Sequence, residues 1–273
     1  CALRRGHGMA LRCRKNHIEL LSSRYRTLRG HTRLTTQKDT PMFADWQPIE
    51  TDCGDDFDAY VAQDLNFNGH AIVLLQEIFG VNGWLRETAG WAAGQGYYVA
   101  VPDLFWRMQP HVDLGHDKES VKSAFAYREQ FDEGAAVEDI VATVRQIRVA
   151  LPEIKYIHLL GFCLGGKLAV LGARDDLVAS AISLYGVGIE KNLAALDQAQ
   201  CPLQLHYGGN DRFIPASAVA AVEQSSIGRD IEIYVYKEAN HGFFSNVRPS
   251  YDPAAAKLAW SRSCKLMKRV ERV

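Results

Sequence analysis

Residues 156–167 read YIHLLGFCLGGK, and this stretch decides the fold. Its first half is an apolar run typical of a buried strand, and helix-forming residues resume directly after the glycines. Cys163 stands at the apex of the short turn between them, in the pattern G-F-C-L-G. Glycine on both sides of the apex lets a strand and a helix pass closely, because glycine carries no Cβ atom. The stretch therefore predicts a strand, a tight turn and a helix in succession.

The apex of such a motif, usually written G-x-S-x-G, is where a nucleophile is exposed, and here the position holds a thiol. The partial positive charge at the N-terminus of the following helix favours thiolate over thiol. A second interpretation is a buried and inert cysteine, since free cysteines are often small core residues. The motif alone leaves both interpretations open, and the rest of the chain favours the nucleophile.

Length and composition fit one large α/β domain. Of the 273 residues, 47% are hydrophobic and 23% are charged, which is ordinary for a globular protein. No apolar run approaches the length of a membrane span, so we expect no membrane partner. The six cysteines form no C-x-x-C pair and have no regular spacing, which predicts neither a zinc site nor a disulfide framework. We therefore expect a reducing compartment, the cytoplasm, and no metal or other cofactor.

The first 41 residues differ in charge from the rest of the chain. They carry ten Lys or Arg and two acidic residues, whereas the remainder carries 21 Lys or Arg and 30 acidic residues. We interpret residues 1–41 as a basic tail and residues 42–273 as a single domain. A non-native extension, a targeting segment and a nucleic-acid-binding arm all fit the tail. The acidic body and the near absence of aromatic residues in the tail disfavour the last, so no nucleic-acid partner is predicted.

Strand-like and helix-like segments alternate after residue 42. A hairpin is expected at the sheet edge over residues 48–63, with its break at residues 53–56. Buried strands are predicted at residues 71–75, 97–101, 156–160, 181–185, 203–207 and 231–236. Helices are predicted at residues 83–95, 133–150, 216–226 and 253–270. This alternation predicts an α/β fold with a mostly parallel central sheet and helices on both faces.

Three reactive side chains follow predicted strands, and reactive groups of such sheets gather beyond the carboxyl ends of the strands. Cys163, Asp211 and His241 occur in the order nucleophile, acid, histidine, which is the order in α/β-hydrolases. We infer that His241 takes the thiol proton and that Asp211 orients the imidazole. Glu77 directly follows a five-residue apolar run. Because an unpaired buried carboxylate is costly, Glu77 is either solvated or has a partner near the site.

The chain resembles the dienelactone hydrolase family, also called carboxymethylenebutenolidases, over about residues 48–270. Six motifs carry the resemblance: QEIFGVN at 76–82, PDL at 102–104, GFCLGG at 161–166, YGVG at 185–188, GGND at 208–211 and HGF at 241–243. The first and third together are highly specific. The resemblance implies the α/β-hydrolase fold and cleavage of a small-molecule ester or lactone through an acyl-thioenzyme. It also favours a monomer or a weak homo-oligomer.

The resemblance assigns roles to individual residues. It implies a catalytic triad made of the three residues inferred above: Cys163, Asp211 and His241. The backbone N–H groups of Ile78 and Leu164 would form the oxyanion hole. Glu77 would contact the thiol in the resting state and help to control when thiolate forms. Arg107 and Tyr185 match positions that contact substrate in the family.

One part of the family pattern is missing from this chain. Dienelactone-cleaving members carry a Ser directly after the catalytic His and an Arg three residues later, which help to hold the substrate carboxylate. Here these positions are Gly242 and Ser245, and Arg248 lies nearby but out of register. A guanidinium binds a carboxylate through two parallel hydrogen bonds, and Ser cannot replace it. Hydrolase chemistry is therefore expected, while dienelactone itself stays open as the substrate.

A redox-sensitive thiol or a non-enzymatic binding protein on the same fold is the alternative function. An exposed cysteine with a low pKa is readily oxidised. However, no second cysteine lies close in sequence to Cys163, and a sensor has no need of Asp211 and His241. The sequence therefore favours the hydrolase.

Overall fold

The computed structural model describes residues 43–51 and 54–272. The predicted basic tail lies outside these residues. Eight strands form one sheet. Their bounds are β1 (Phe43–Glu50), β2 (Asp56–Gln63), β3 (His70–Leu75), β4 (Tyr98–Pro102), β5 (Tyr156–Phe162), β6 (Val178–Leu184), β7 (Leu203–Gly208) and β8 (Ile231–Tyr236).

The strand order across the sheet is β1-β2-β4-β3-β5-β6-β7-β8. Strands β1 and β2 form an antiparallel hairpin at one edge, and β2 is also antiparallel to β4. All other neighbours are parallel. Every residue of β3, β4 and β7 is buried, as expected for strands covered on both faces. The predicted edge hairpin and mostly parallel sheet are therefore confirmed.

Seven α-helices connect and cover the described strands. None of these helices is long and apolar enough to cross a membrane. Short 3₁₀ turns occupy Ile189–Lys191 and Val270–Arg272. The helix bounds are α1 (Gly83–Ala93), α2 (Lys118–Gln130), α3 (Glu133–Ala150), α4 (Leu164–Gly172), α5 (Ala194–Gln198), α6 (Ala216–Ser225) and α7 (Pro253–Arg269). Helices α1, α3, α6 and α7 agree with the predicted segments to within two residues.

Helix α2 has no counterpart in the predictions. Of its residues, all within the described part of the chain, Ala124 alone is buried, so no apolar stripe marks this helix in the sequence. It begins where Asp117 accepts hydrogen bonds from the backbone N–H groups of Glu119 and Ser120. The loop between β4 and α2 therefore ends at a capped helix N-terminus.

Candidate active site

Cys163 occupies the turn between β5 and α4 in a backbone conformation that most side chains avoid, with φ of 54° and ψ of −111°. The turn is held by a hydrogen bond from the Cys163 N–H to the Leu184 carbonyl at 3.0 Å. A Cβ atom on Gly161 would lie 2.0 Å from the Gly165 carbonyl oxygen, and one on Gly165 would lie 2.4 Å from that of Leu75. Both flanking glycines are therefore required by close backbone approach, and the predicted strand, turn and helix are confirmed.

The other two residues of the predicted triad meet at the same edge of the sheet. His241 Nδ1 lies 2.7 Å from Asp211 Oδ2, and both residues are buried, with 8% and 6% of their surface exposed. Their loops are joined by a hydrogen bond from the Asn210 N–H to the Ala239 carbonyl at 3.0 Å. The half-buried Cys163 side chain interacts with the His241 imidazole. The structure thus brings the three predicted residues together at one edge of the sheet, and their catalytic roles stay a prediction.

The electrostatics of this group favour a charged imidazole. Burial lowers the pKa of His241, but the adjacent Cys163 sulfur and the Asp211 carboxylate outweigh burial and raise the pKa to about 10. The imidazole ring is enclosed edge-on by Tyr185 and Phe213, whose ring centres lie 5.0 and 4.9 Å away. A proton on His241 beside the sulfur stabilises thiolate, which is the reactive form of cysteine.

Backbone hydrogen bonds connect the turn at Cys163 with the loop that contains Ile78. Leu164 is the first residue of α4, so its N–H has no acceptor within the helix. The Gly165 N–H donates to the Gln76 carbonyl at 2.9 Å, which fastens the loop containing Ile78 to the start of α4. The Gln76 side chain in turn accepts a hydrogen bond from the Leu104 N–H at 3.1 Å. The use of the Ile78 and Leu164 amides as oxyanion donors stays a prediction.

Glu77 is buried at the site and has basic partners. Of the two interpretations given above, a solvated residue or a residue with a partner near the site, the second is therefore correct. Its Oε1 accepts a hydrogen bond from Arg248 Nη1 at 3.1 Å, and its Oε2 lies 3.9 Å from His116 Nε2. Burial would raise the pKa of Glu77, but His116, Arg248 and His241 together lower it below its ordinary value. Glu77 is therefore held as a carboxylate. Its contact with the thiol, which the resemblance implies, stays a prediction.

Arg248 supplies a guanidinium that the sequence register did not place in the site. The chain turns back through hydrogen bonds from the Ser245 N–H to the Gly242 carbonyl and from the Arg248 N–H to the Ser245 carbonyl. Gly242 has φ of 77°, and a Cβ atom there would lie 2.4 Å from Arg248 Nη1. The absence of a side chain at residue 242 therefore makes room for the guanidinium. The expectation that Ser245 leaves this region without a guanidinium is corrected.

The two predicted substrate contacts have different surroundings. Arg107 donates to the buried Asp139 at 2.5 and 3.0 Å and lies over the Trp106 ring. The Tyr185 ring packs against His241, and its buried hydroxyl has no hydrogen-bond partner among the described residues. Tyr185 is therefore part of the site, whereas the Arg107 guanidinium is engaged by Asp139. A substrate contact by either residue stays a prediction.

His116 is a site residue that sequence reasoning missed. Its loop is attached to the loop of Glu77 by a hydrogen bond from the Leu114 N–H to the Phe79 carbonyl at 3.0 Å and by a bridge between Gly80 and Asp113. No pattern in the sequence of this loop, which also contains His111, marks His116 for this pairing. Only the three-dimensional attachment of the two loops brings the imidazole to Glu77.

The free thiols of the described residues, Cys163, Cys201 and Cys264, have different electrostatic surroundings. Burial raises the pKa of Cys201 to about 12 and also raises the pKa of Cys264, so both stay protonated near neutral pH. Cys163 instead lies beside the protonated imidazole. Over residues 43–51 and 54–272, no group of three or more His, Cys, Asp or Glu is arranged to hold a metal ion.

Comparison with known proteins gives consistent matches over most of the chain. The model of the dienelactone hydrolase family matches residues 57–271. A carboxymethylenebutenolidase of Pseudomonas putida is 35% identical over 223 residues, which cover 81% of this chain and 94% of that protein. One of Rhodococcus opacus is 32% identical over 215 residues, which cover 74% and 82% of the two chains.

A solved structure supports the fold. A Klebsiella pneumoniae protein provisionally assigned as a dienelactone hydrolase superposes with a TM-score of 0.72 at 24% identity, covering 83% of this chain and 98% of that one. At this identity the likeness concerns the fold alone, and it is an α/β-hydrolase fold. The family model and the relatives above 30% identity show that this chain belongs to the dienelactone hydrolase family and acts on ester or lactone bonds.

Proposed function

We propose that this protein hydrolyses a carboxylic ester or lactone by covalent catalysis, with Cys163 as nucleophile, His241 as acid and base, and Asp211 as the residue that orients His241. The observation that carries the proposal is the hydrogen bond of 2.7 Å between His241 Nδ1 and Asp211 Oδ2. It lies beside the Cys163 sulfur, at the apex of the glycine-flanked turn. Burial of both partners holds the imidazole in one orientation, as a general base requires.

In the acylation step, the Cys163 sulfur attacks the carbonyl carbon and forms a C–S bond. The carbonyl electron pair moves to the oxygen, which the N–H groups of Ile78 and Leu164 would stabilise. As the tetrahedral intermediate collapses, the C–O bond to the leaving group breaks, and His241 donates its proton to the departing oxygen. For a lactone, this oxygen remains attached to the acyl chain.

In the deacylation step, a water molecule attacks the thioester carbonyl and gives one proton to His241. The C–S bond breaks, the carboxylic acid leaves, and the thiolate returns beside the imidazolium. The raised pKa of His241 fits this cycle, because the imidazole is protonated whenever the sulfur carries negative charge. Asp211 stabilises the imidazolium in both steps.

We propose that the substrate carries a carboxylate near the scissile bond, as dienelactone does. The Arg248 guanidinium lies against Gly242, directly after the histidine, and is largely shielded from solvent. A guanidinium in this position can form charge-assisted hydrogen bonds to a substrate carboxylate. An anionic lactone or ester is therefore the substrate class that we propose.

We further propose a reducing compartment such as the cytoplasm, and a monomer or a weak homo-oligomer. A thiolate at Cys163 that is not kept reduced would be oxidised and lost to catalysis. Cys201 and Cys264 are also free thiols, which supports the same assignment.

Hydrolysis of cis- and trans-dienelactone and of p-nitrophenyl acetate tests the proposal. We expect Cys163→Ala to lose activity by at least about a thousandfold, because the covalent route is removed and only binding and oxyanion stabilisation remain. Cys201→Ala is the matched control and should keep wild-type activity, since this half-buried thiol lies outside the proposed triad and its raised pKa keeps it protonated. Cys163→Ser should fold and be slower. Equal rates for wild type and Cys163→Ala would reject the mechanism, and fast alkylation without hydrolysis of any substrate would favour the redox-sensor alternative.

A further inference from the structure

The carboxylate of Glu77 lies between two basic side chains, and only one of the two contacts is a hydrogen bond. Arg248 donates to Oε1 at 3.1 Å. Oε2 faces His116 Nε2 at 3.9 Å, and among the described residues neither of these two buried atoms has a hydrogen-bond partner. The two atoms thus face each other across a distance suited to an ion pair or to a bridging water.

His116 is held in place by more than its own loop. Its imidazole packs against the Phe79 ring with a centre-to-centre distance of 4.4 Å, and Phe79 lies two residues after Glu77. The hydrogen bond from the Leu114 N–H to the Phe79 carbonyl fixes the backbone two residues before His116. Asp117, directly after His116, caps helix α2. The imidazole is therefore positioned by its contact with the Phe79 ring and by the backbone contacts on either side of residue 116.

The charge of Glu77 matters because of the groups that face it. These are Arg248 and His116 on its two oxygens, together with His241 and Tyr185 on the side of the nucleophile. Glu77 interacts electrostatically with His241. A buried carboxylate at this place disfavours the growth of further negative charge in the site, because like charges disfavour each other's ionised form. A hydrogen-bond donor or a positive charge at the second oxygen reduces this penalty.

We propose that His116 is a positioning residue of the hydrolytic site: it compensates the charge on Oε2 of Glu77, so that negative charge can develop on Cys163. His116 acts through Glu77 and does not touch the reacting atoms. The direction of the Glu77 pKa shift agrees, since His116 contributes to lowering it. The inference rests on the proposed role of Cys163 as nucleophile and adds a residue that the sequence did not single out.

The test is the pH profile of Cys163 alkylation by iodoacetamide, because it reports thiolate without requiring hydrolysis. Wild type, His116→Ala, Glu77→Gln and the double variant are compared, with the modified peptide identified by mass spectrometry. We expect His116→Ala to raise the pH midpoint of alkylation by about one unit, which is a tenfold loss of rate below both midpoints. In the Glu77→Gln background the same substitution should leave the midpoint unchanged, because no charge remains to be compensated.

Two further variants separate charge compensation from loop structure. His111→Asn alters a histidine of the same loop that pairs with Asp58 at the surface, and Asn tolerates the φ of 57° at this position. This control should keep the wild-type midpoint. His116→Lys places an ammonium group at the same position and should recover part of the shift.

The result that would overturn the inference is a His116→Ala midpoint equal to wild type, or an equal shift with and without Glu77. If His116→Ala shifts the alkylation midpoint equally in the wild-type and Glu77→Gln backgrounds, His116 only supports the structure of its loop. Failure of the proposed function reads differently: Cys163 would resist alkylation in wild type itself, or hydrolysis would persist in Cys163→Ala. The two failures are therefore distinguishable.

Discussion

Gly242→Ala tests whether the space beside the catalytic histidine is reserved for the Arg248 guanidinium. The matched control is Gly228→Ala. Both glycines have nearly the same left-handed backbone, with φ of 77° and 79°. A Cβ atom on Gly228 meets no described atom within 4 Å, whereas one on Gly242 would lie 2.4 Å from Arg248 Nη1 and 2.9 Å from Cζ. The pair therefore separates backbone strain from displacement of the guanidinium.

The magnitudes follow from these contacts. A left-handed backbone costs a residue with a Cβ atom about 1–2 kcal/mol, and both variants share this cost. At Gly242 the guanidinium must also move by about an ångström to restore van der Waals distance, which breaks its 3.1 Å hydrogen bond with Glu77. A buried charged group that loses its partner costs about 1–3 kcal/mol more. We expect the free energy of unfolding to fall by about 1–2 kcal/mol in Gly228→Ala and by about 2–5 kcal/mol in Gly242→Ala.

Urea unfolding measures the stability difference, and kcat/KM for an anionic lactone measures the effect on the site. Gly242→Ala should lose activity, whereas Gly228→Ala should keep it. Adding Arg248→Ala to Gly242→Ala should not lower stability further, because the displaced side chain no longer contributes its ion pair. Equal stability and equal activity of the two alanine variants would refute the argument that Gly242 makes room for Arg248.

Two other predictions concern charge. Arg248→Gln should lower kcat/KM for dienelactone at least about tenfold more than for the neutral p-nitrophenyl acetate. Arg248→Lys should recover little of this loss, since a guanidinium binds a carboxylate through two parallel hydrogen bonds. Initial rates measure both values, and equal losses on the two substrates would contradict carboxylate binding. Burial lowers the pKa of both His158 and His206 from 6.5 to about 3, so the unfolded chain binds protons that the folded chain does not. The free energy of unfolding should therefore fall as the pH drops from about 6.5 towards 3, by about 2 kcal/mol per histidine at pH 5. Urea unfolding of wild type and His206→Asn at pH 8 and pH 5 measures this pH dependence.

The parts of the molecule that sequence reasoning predicts are those encoded by local patterns. The apolar run before Cys163 and the glycines around it are close in sequence, so the strand, turn and helix can be read from one stretch. Asp211 and His241 are far apart along the chain, but each follows a predicted strand. Parallel strands end at the same edge of a sheet, which is why these residues could be expected to meet.

The parts that were missed depend on loops. His116 reaches Glu77 because the Leu114 and Phe79 backbones are hydrogen-bonded, and no sequence pattern marks that bond. Arg248 is placed by two successive turns after Gly242, so counting residues from the histidine cannot locate its guanidinium. Helix α2 was not predicted because Ala124 is the one buried residue among its described residues, so the helix has no apolar stripe in the sequence. Each miss involves a position set by tertiary contacts rather than by local residue types.

The central claim, an acyl group carried by Cys163, is tested most directly by quenching the reaction with acid within milliseconds of mixing with a p-nitrophenyl ester. We predict a burst of nitrophenol close to one equivalent of enzyme and an acyl mass on the peptide that contains Cys163, with neither in Cys163→Ala. Nitrophenol release at the wild-type rate by Cys163→Ala, or an acyl mass on a different residue, would contradict the account.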